Sequence, residues 1–424
     1  MTLKDSFSSC LITNEPRNPF PPVTKIFLFL RFTFGFSFEK EPFYAILDKL
    51  MNKVKPKILV ILVVAVMLVY FLLATPVMMD DGEQYEGFAE LLARGHLDFK
   101  SFYGFQGLSF FAVPIFWLTG SKMSIIIASI IFSLLSIPLA YLVGRDYYQS
   151  KRAGLYFLIL FLLTPYPYVT MMRGFQEAAL LFFILLIIHA GVCQKVWTPL
   201  AWAIGGIVKP FALVLLPLFA KNFLTPSVRK FVWVLAALMV GVLYLGVSYY
   251  QTGHLINNAA INSYQGNFDT GNPPPLTESF VFGIKGYLRV AANLFLSFRK
   301  IMIPPLVVVL GALALLFNKN LKLRKEIVLA VILNFVLVGS LTFSFSKYLL
   351  PMTTLFALAS VGYLLKYKWL MLLVFIDSFF VFLPIWNYFG HNFWSSYLIF
   401  FLPMVYVLGL WVVIHSASVS GFGE

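Results

Sequence analysis

From residue 58 onward, apolar runs of seventeen to twenty residues alternate with short polar stretches, a length that crosses the hydrocarbon core of a bilayer as a helix. The runs lie near 58–75, 123–142, 153–169, 176–193, 231–250, 301–317, 327–343, 349–365, 369–386 and 397–415. Two segments break the pattern. "GFQGLSFFAVPIFWLTG" (104–120) is short and carries Pro114, and "PLAWAIGGIVKPFALVLLPLFA" (199–220) is interrupted by Lys209 and Pro210. Both predict half-membrane helices or re-entrant hairpins, which are tolerated only where protein or a wet cavity satisfies the freed backbone groups. The fold class expected is an all-α polytopic membrane protein of about 10–12 transmembrane helices.

The polar stretches set the orientation. "NKVKPK", "RDYYQSKR", "KNFLTPSVRK", "NKNLKLRKE" and "KYK" hold most of the Lys and Arg and share one side if 104–120 does not cross, and that side is cytoplasmic by the positive-inside rule. Composition agrees: 60% of the 424 residues are hydrophobic and only 12% charged, which excludes a water-soluble globule. The net charge of +14 is spread over those loops, so nucleic acid is not an expected partner. Cys10 and Cys193 are far apart and suggest neither a disulfide framework nor a metal knuckle; the scattered His96, His254 and His391 indicate no zinc site.

Residues 1–50 read as an N-terminal extension, polar and Pro-rich in "NEPRNPFPPVTK" and too interrupted by Arg31 to span a bilayer. Met51 opens "MNKVKPK", a basic flank before the first span, and is the expected native start; 51–424 reads as a single transmembrane domain.

The first span runs into "MMDDGEQYEGFAELLARGHLDF" (78–99), within the outer loop 76–103, which holds six of the chain's eighteen acidic residues. Tyr85, Phe88, Ala89 and Leu92 fall on one helical face and Gly95 ends the pattern, which predicts an outer juxtamembrane helix. Capping accounts for one carboxylate, through Asp80 with Glu83 or Asp81 with Gln84, but not for Asp80, Asp81, Glu83 and Glu86 together. The other long outer loop, 251–300, ends in "KGYLRVAANLFLSFRK", where Lys285, Arg289, Asn293 and Ser297 recur every four residues. That stripe reads as an interfacial helix snorkelling its cations to headgroups or, less simply, as Arg289 or Lys285 meeting a lipid phosphate. Asp377, in the middle of "LLVFIDSFFVF", is expected to face the bundle in a structural role.

"DDGEQYEGFAELLARG", the paired spans around "GRDYYQSKRAG", "MRGFQEAALLFFILL", "GGIVKPFALVLLPL" and "FSFSKYLLPMTTLFALAS" occur in that order over roughly 58–365. The ordered set resembles the GT-C class of membrane glycosyltransferases, which includes protein O-mannosyltransferases and the lipid A aminoarabinose transferases. In this resemblance Asp81 or Asp80 takes the place of the catalytic Asp. Asp81 stands four residues before Tyr85, the better match, and Asp80 better fits the distance to Gly95. Glu177 takes the place of a second outer acidic residue, more often Asp, Lys209 matches a recurrent lysine, and Lys347 replaces an Arg. The aromatic-Pro-Pro-Leu motif of many members is "GFQGLSFFAVP" here.

The resemblance implies transfer of a sugar from a polyprenyl-phosphate donor to a glycan, lipid or protein acceptor, by inverting direct displacement at the outer face of the cell (inner) membrane. The phosphate is a good leaving group, so the reaction needs a base for the acceptor hydroxyl and cations for the departing phosphate. The candidate cations are Lys209, Lys347, Arg173, Arg289 and Lys285. No cofactor is specified; some members use a divalent cation, for which Asp80, Asp81 and Glu83 would be the ligands. A transporter or lipid flippase with broken helices and buried charge is the alternative, and a non-catalytic assembly subunit a third reading.

Overall fold

The computed structural model describes, isolated positions aside, residues 78–164, 173–255, 283–295, 303–341 and 346–378, with part of 58–68. The extension 1–50, the core of the 251–300 loop, the 379–386 part of the span expected at 369–386 and the whole of the span expected at 397–415 lie outside the described residues.

The described chain is helical. In order it forms α1 (Asp80–Ala93), α2 (Gly107–Thr119), α3 (Ser124–Tyr148), α4 (Lys151–Leu162), α5 (Glu177–Val192), α6 (Thr198–Val208), a 3₁₀ turn Pro210–Leu215, α7 (Pro217–Phe223), α8 (Val228–Thr252), α9 (Ile284–Phe295), α10 (Pro305–Phe317), α11 (Arg324–Ser340), a 3₁₀ turn Ser346–Leu349 and α12 (Leu350–Lys366). Among the described residues, three stretches, Ser124–Tyr148, Val228–Thr252 and Lys347–Lys366, are long and apolar enough to cross a membrane. The protein is an integral membrane protein of the all-α, polytopic class.

The interrupted 199–220 segment breaks at Lys209. Pro210 lacks the N–H that would continue α6 and pushes the residue before it out of the helical region; Lys209 is extended, at φ −155° and ψ 137°. The 104–120 segment forms the 13-residue helix α2, with Pro114 inside it and Gly120 closing it in the left-handed conformation at φ 61°.

Glycines allow the backbones that carry polar side chains to meet. A Cβ on Gly107 would stand 2.4 Å from the Cα of Val208, and one on Gly82 would stand 2.4 Å from the carbonyl oxygen of Arg173. The first contact brings α2 against the end of α6; the second presses α1 onto the segment that leads into α5.

The end of α1 is held on α8 by an aromatic knot and a bidentate amide. Phe88, Phe99 and Tyr244 form a buried cluster, the Tyr244 hydroxyl accepts from the Gln106 N–H at 2.9 Å, and the Gln251 amide accepts from Phe99 N–H (2.8 Å) and donates to Leu97 O (2.7 Å). Asp377 accepts from the Leu306 N–H at 2.6 Å, at the start of α10, where an acidic group meets the helix dipole favourably.

Candidate active site

Four charged side chains from four separate parts of the chain join in one chain of contacts. Asp81 Oδ2 lies 3.1 Å from Lys347 Nζ, and Lys347 Nζ lies 3.6 Å from Glu177 Oε1. The same Glu177 oxygen accepts a hydrogen bond from Lys209 Nζ. Glu177 is 1% exposed, so its charge depends on these two lysines for the solvation that water no longer gives.

Local structure places each group. Asp81 is in the first turn of α1 and Glu177 opens α5, where the unpaired N–H groups and the helix dipole favour negative charge. Lys209 stands just past the carboxyl end of α6, where positive charge is favoured. Lys347 sits in the 3₁₀ turn before α12, and α11 fixes that turn: the buried Asn334 amide donates to Tyr348 O (3.2 Å) and its oxygen accepts from the Met352 N–H (3.3 Å).

Aromatic rings wall the cluster. Lys347 Nζ is 5.5 Å from the Phe175 ring centre and Lys209 Nζ is 5.8 Å from that of Tyr348, within cation–π range. Tyr348 in turn stacks on Phe211 with centres 4.4 Å apart. Arg173 is buried at 8% exposure with its guanidinium carbon 6.0 Å from the Phe175 ring. Gln176, beside Glu177, donates its amide to Phe105 O and so ties this segment to the chain entering α2.

The structure thus brings Asp81, Glu177, Lys209 and Lys347 together, with Arg173 on the adjoining turn. Asp80 is the first residue of α1; its side chain lies outside the described residues, as does that of Arg289. Lys285 is exposed on α9, and among the described residues no ion pair joins it to the cluster. Of the residues considered for a divalent ion, Asp81 is turned onto Lys347 and Glu83 is exposed two positions on, a helical spacing at which side chains do not face each other. That pair does not make a ligand set.

The other acidic residues of 78–99 have structural partners. Glu86 is buried and accepts from Ser124 Oγ and the Ile125 N–H, both at 2.7 Å, which caps α3. Glu90 pairs with Arg94 one turn on. Asp98 accepts from Ser101 Oγ at 2.5 Å and from the N–H groups of Lys100 and Ser101; the Ser101 hydroxyl foremost holds its carboxyl below the usual range. In the sequence nothing marks Phe211 or Asn334 as part of the site, whereas Tyr348 adjoins Lys347 and Phe175 stands two positions from both Arg173 and Glu177.

By similarity to solved structures the all-α bundle has a GT-C-like fold. Two solved structures of ArnT from Cupriavidus metallidurans are similar to this chain. The one bound to undecaprenyl phosphate matches with a TM-score of 0.50 and 15% identity, and the apo one with 0.53 and 14%. In each, 84% of this chain and 76% of the other is covered. No protein-family model and no curated protein matches the sequence.

Proposed function

We propose that the protein is a glycosyltransferase that moves a sugar from a polyprenyl-phosphate carrier to a hydroxyl group of a lipid, glycan or protein acceptor. The observation that carries this reading is the Asp81–Lys347–Glu177–Lys209 chain of contacts, set in a fold similar to that of an ArnT crystallised with undecaprenyl phosphate.

The chemistry needs one base and a cationic seat for phosphate. Asp81 is the base: it takes the acceptor proton as the acceptor oxygen forms its bond to the anomeric carbon. The bond from that carbon to the phosphate oxygen breaks at the same time, and the configuration inverts. Lys347 bridges the two roles. In the free protein it pairs with Asp81; when the donor phosphate arrives, Lys347 turns towards it and leaves the Asp81 carboxylate free to accept a proton. Glu177 keeps Lys209 and Lys347 charged and in place, and Arg173 offsets the excess negative charge that the phosphate brings.

With the basic loops inside, the cluster opens at the outer membrane surface, so a cysteine at position 83 should react with an impermeant external thiol reagent and one at 150 should not. The functional test is direct: protein in nanodiscs, supplied with polyprenyl-phosphate sugars and hydroxyl acceptors, releases free polyprenyl phosphate and a glycosylated acceptor. Movement of the intact lipid across the membrane without cleavage would make it a flippase instead.

A further inference from the structure

A second cluster of chemically capable side chains stands at the far end of α5. His189 lies twelve residues beyond Glu177 on that helix, about 18 Å along its axis at the ordinary rise per residue. His189 and the following Cys193 are four apart, so they share one face. Asp146, near the end of α3, faces both of them.

His189 Nδ1 is 3.4 Å from Asp146 Oδ2, Cys193 Sγ is 3.8 Å from the same oxygen, and Sγ is 3.9 Å from Nδ1. As hydrogen bonds the two sulfur contacts are long. As a ligand triangle the spacing is apt, because N, O and S donors bound tetrahedrally at zinc distances of about 2.0–2.3 Å stand roughly 3.3–3.7 Å apart. All three side chains are only partly buried, so an ion can reach them. Arg145 also holds the carboxylate, with Nε 2.5 Å from Oδ1 and Nη2 2.9 Å from Oδ2. Its side chain is 40% exposed and can keep Oδ1 while yielding Oδ2.

We propose that Asp146, His189 and Cys193 bind a zinc-class divalent ion that clamps the end of α3 to the end of α5, with water in the fourth position. Binding breaks the Cys193 S–H bond, releases that proton to solvent and forms the metal–sulfur bond. His189 gives the Nδ1 lone pair and Asp146 an oxygen lone pair, and thiolate and carboxylate together balance the charge of the ion. Mixed sulfur, nitrogen and oxygen donors suit zinc, and its spectroscopic substitute cobalt, better than magnesium or calcium.

The probe is Co²⁺ added to the metal-stripped full-length protein in detergent. The expected result is one bound ion, with visible bands of tetrahedral cobalt and a thiolate-to-cobalt charge-transfer band in the near ultraviolet. The charge-transfer band should vanish in Cys193→Ser and persist in Cys10→Ser, the chain's other cysteine, while His189→Gln should weaken binding at least tenfold. Zn²⁺ should displace the cobalt and raise the melting temperature of the wild type but not of Cys193→Ser. Absence of cobalt binding to the wild type, or a charge-transfer band unchanged in Cys193→Ser, would overturn the assignment.

Discussion

Lys347 and Asp81 are 266 positions apart in the chain, yet Nζ and Oδ2 are separated by 3.1 Å. The contact joins the helix that follows the first apolar run to the turn that opens α12. Lys347→Met should remove the pair and reduce transfer by about one to two decades, since a charge-assisted contact is worth about 1.5 to 3 kcal/mol. Initial rates at saturating donor, beside a melting curve, test this. The fold should survive, because Glu177 keeps Lys209.

Lys209 and Glu177 behave differently because the carboxylate is almost wholly buried. Lys209→Met or Glu177→Gln alone should cost about 3 to 5 kcal/mol, the usual penalty for stranding a buried charge. The double variant should recover most of that loss, since Asp81 still holds Lys347, while staying inactive because the phosphate seat has lost Lys209. Unfolding midpoints of the three variants check the pattern; additive losses would mean that the two residues act independently.

Two members of this cluster were legible in the sequence because each is chemically out of place: Lys209 interrupts an apolar run, and Asp81 belongs to an acidic group beside a membrane; Glu177 and Lys347 stood out only through the resemblance to the GT-C class. Their partners were not legible. Whether Lys347 meets Asp81 or Glu177 depends on how α11 and α12 pack, and sequence spacing carries no such information. Asn334 looked like any polar residue in a span, and only the structure shows it bonded to the turn holding Lys347. Glu86 read as one more acid in the group, while its role as the cap of α3 rests on a contact 38 residues away. The break at Lys209 and Pro210 was readable because proline acts locally, through its own missing donor.

Gly82 tests the seating of α1. A methyl group there would meet the Arg173 carbonyl at 2.4 Å, so Gly82→Ala should push α1 off the segment before Glu177. Overpacking of this kind costs about 1 to 3 kcal/mol, and turnover should fall with it, whereas Gly241→Ala, where nothing lies within 4 Å, should change neither. Paired melting and rate measurements distinguish the two.

Asn334→Leu should loosen the turn that carries Lys347 by removing both of its hydrogen bonds. The expected signature is a weaker apparent affinity for the donor together with a lower turnover, and a stability loss of about 1 to 3 kcal/mol from the backbone groups left unpaired. Asn334→Asp, which keeps the acceptor but loses the donor, should fall between Leu and the wild type.

The most direct measurement is the transfer rate of Asp81→Asn with a proven donor and acceptor, taken beside its thermal stability. Asparagine keeps the volume and can still accept a hydrogen bond from Lys347 but cannot take up a proton at catalytic pH. The account predicts a protein of nearly unchanged stability whose transfer rate is lower by about 10² to 10⁴-fold, with Asp80→Asn much less affected. Full transferase activity in Asp81→Asn would contradict it and would leave Asp81 as no more than the ion-pair partner of Lys347.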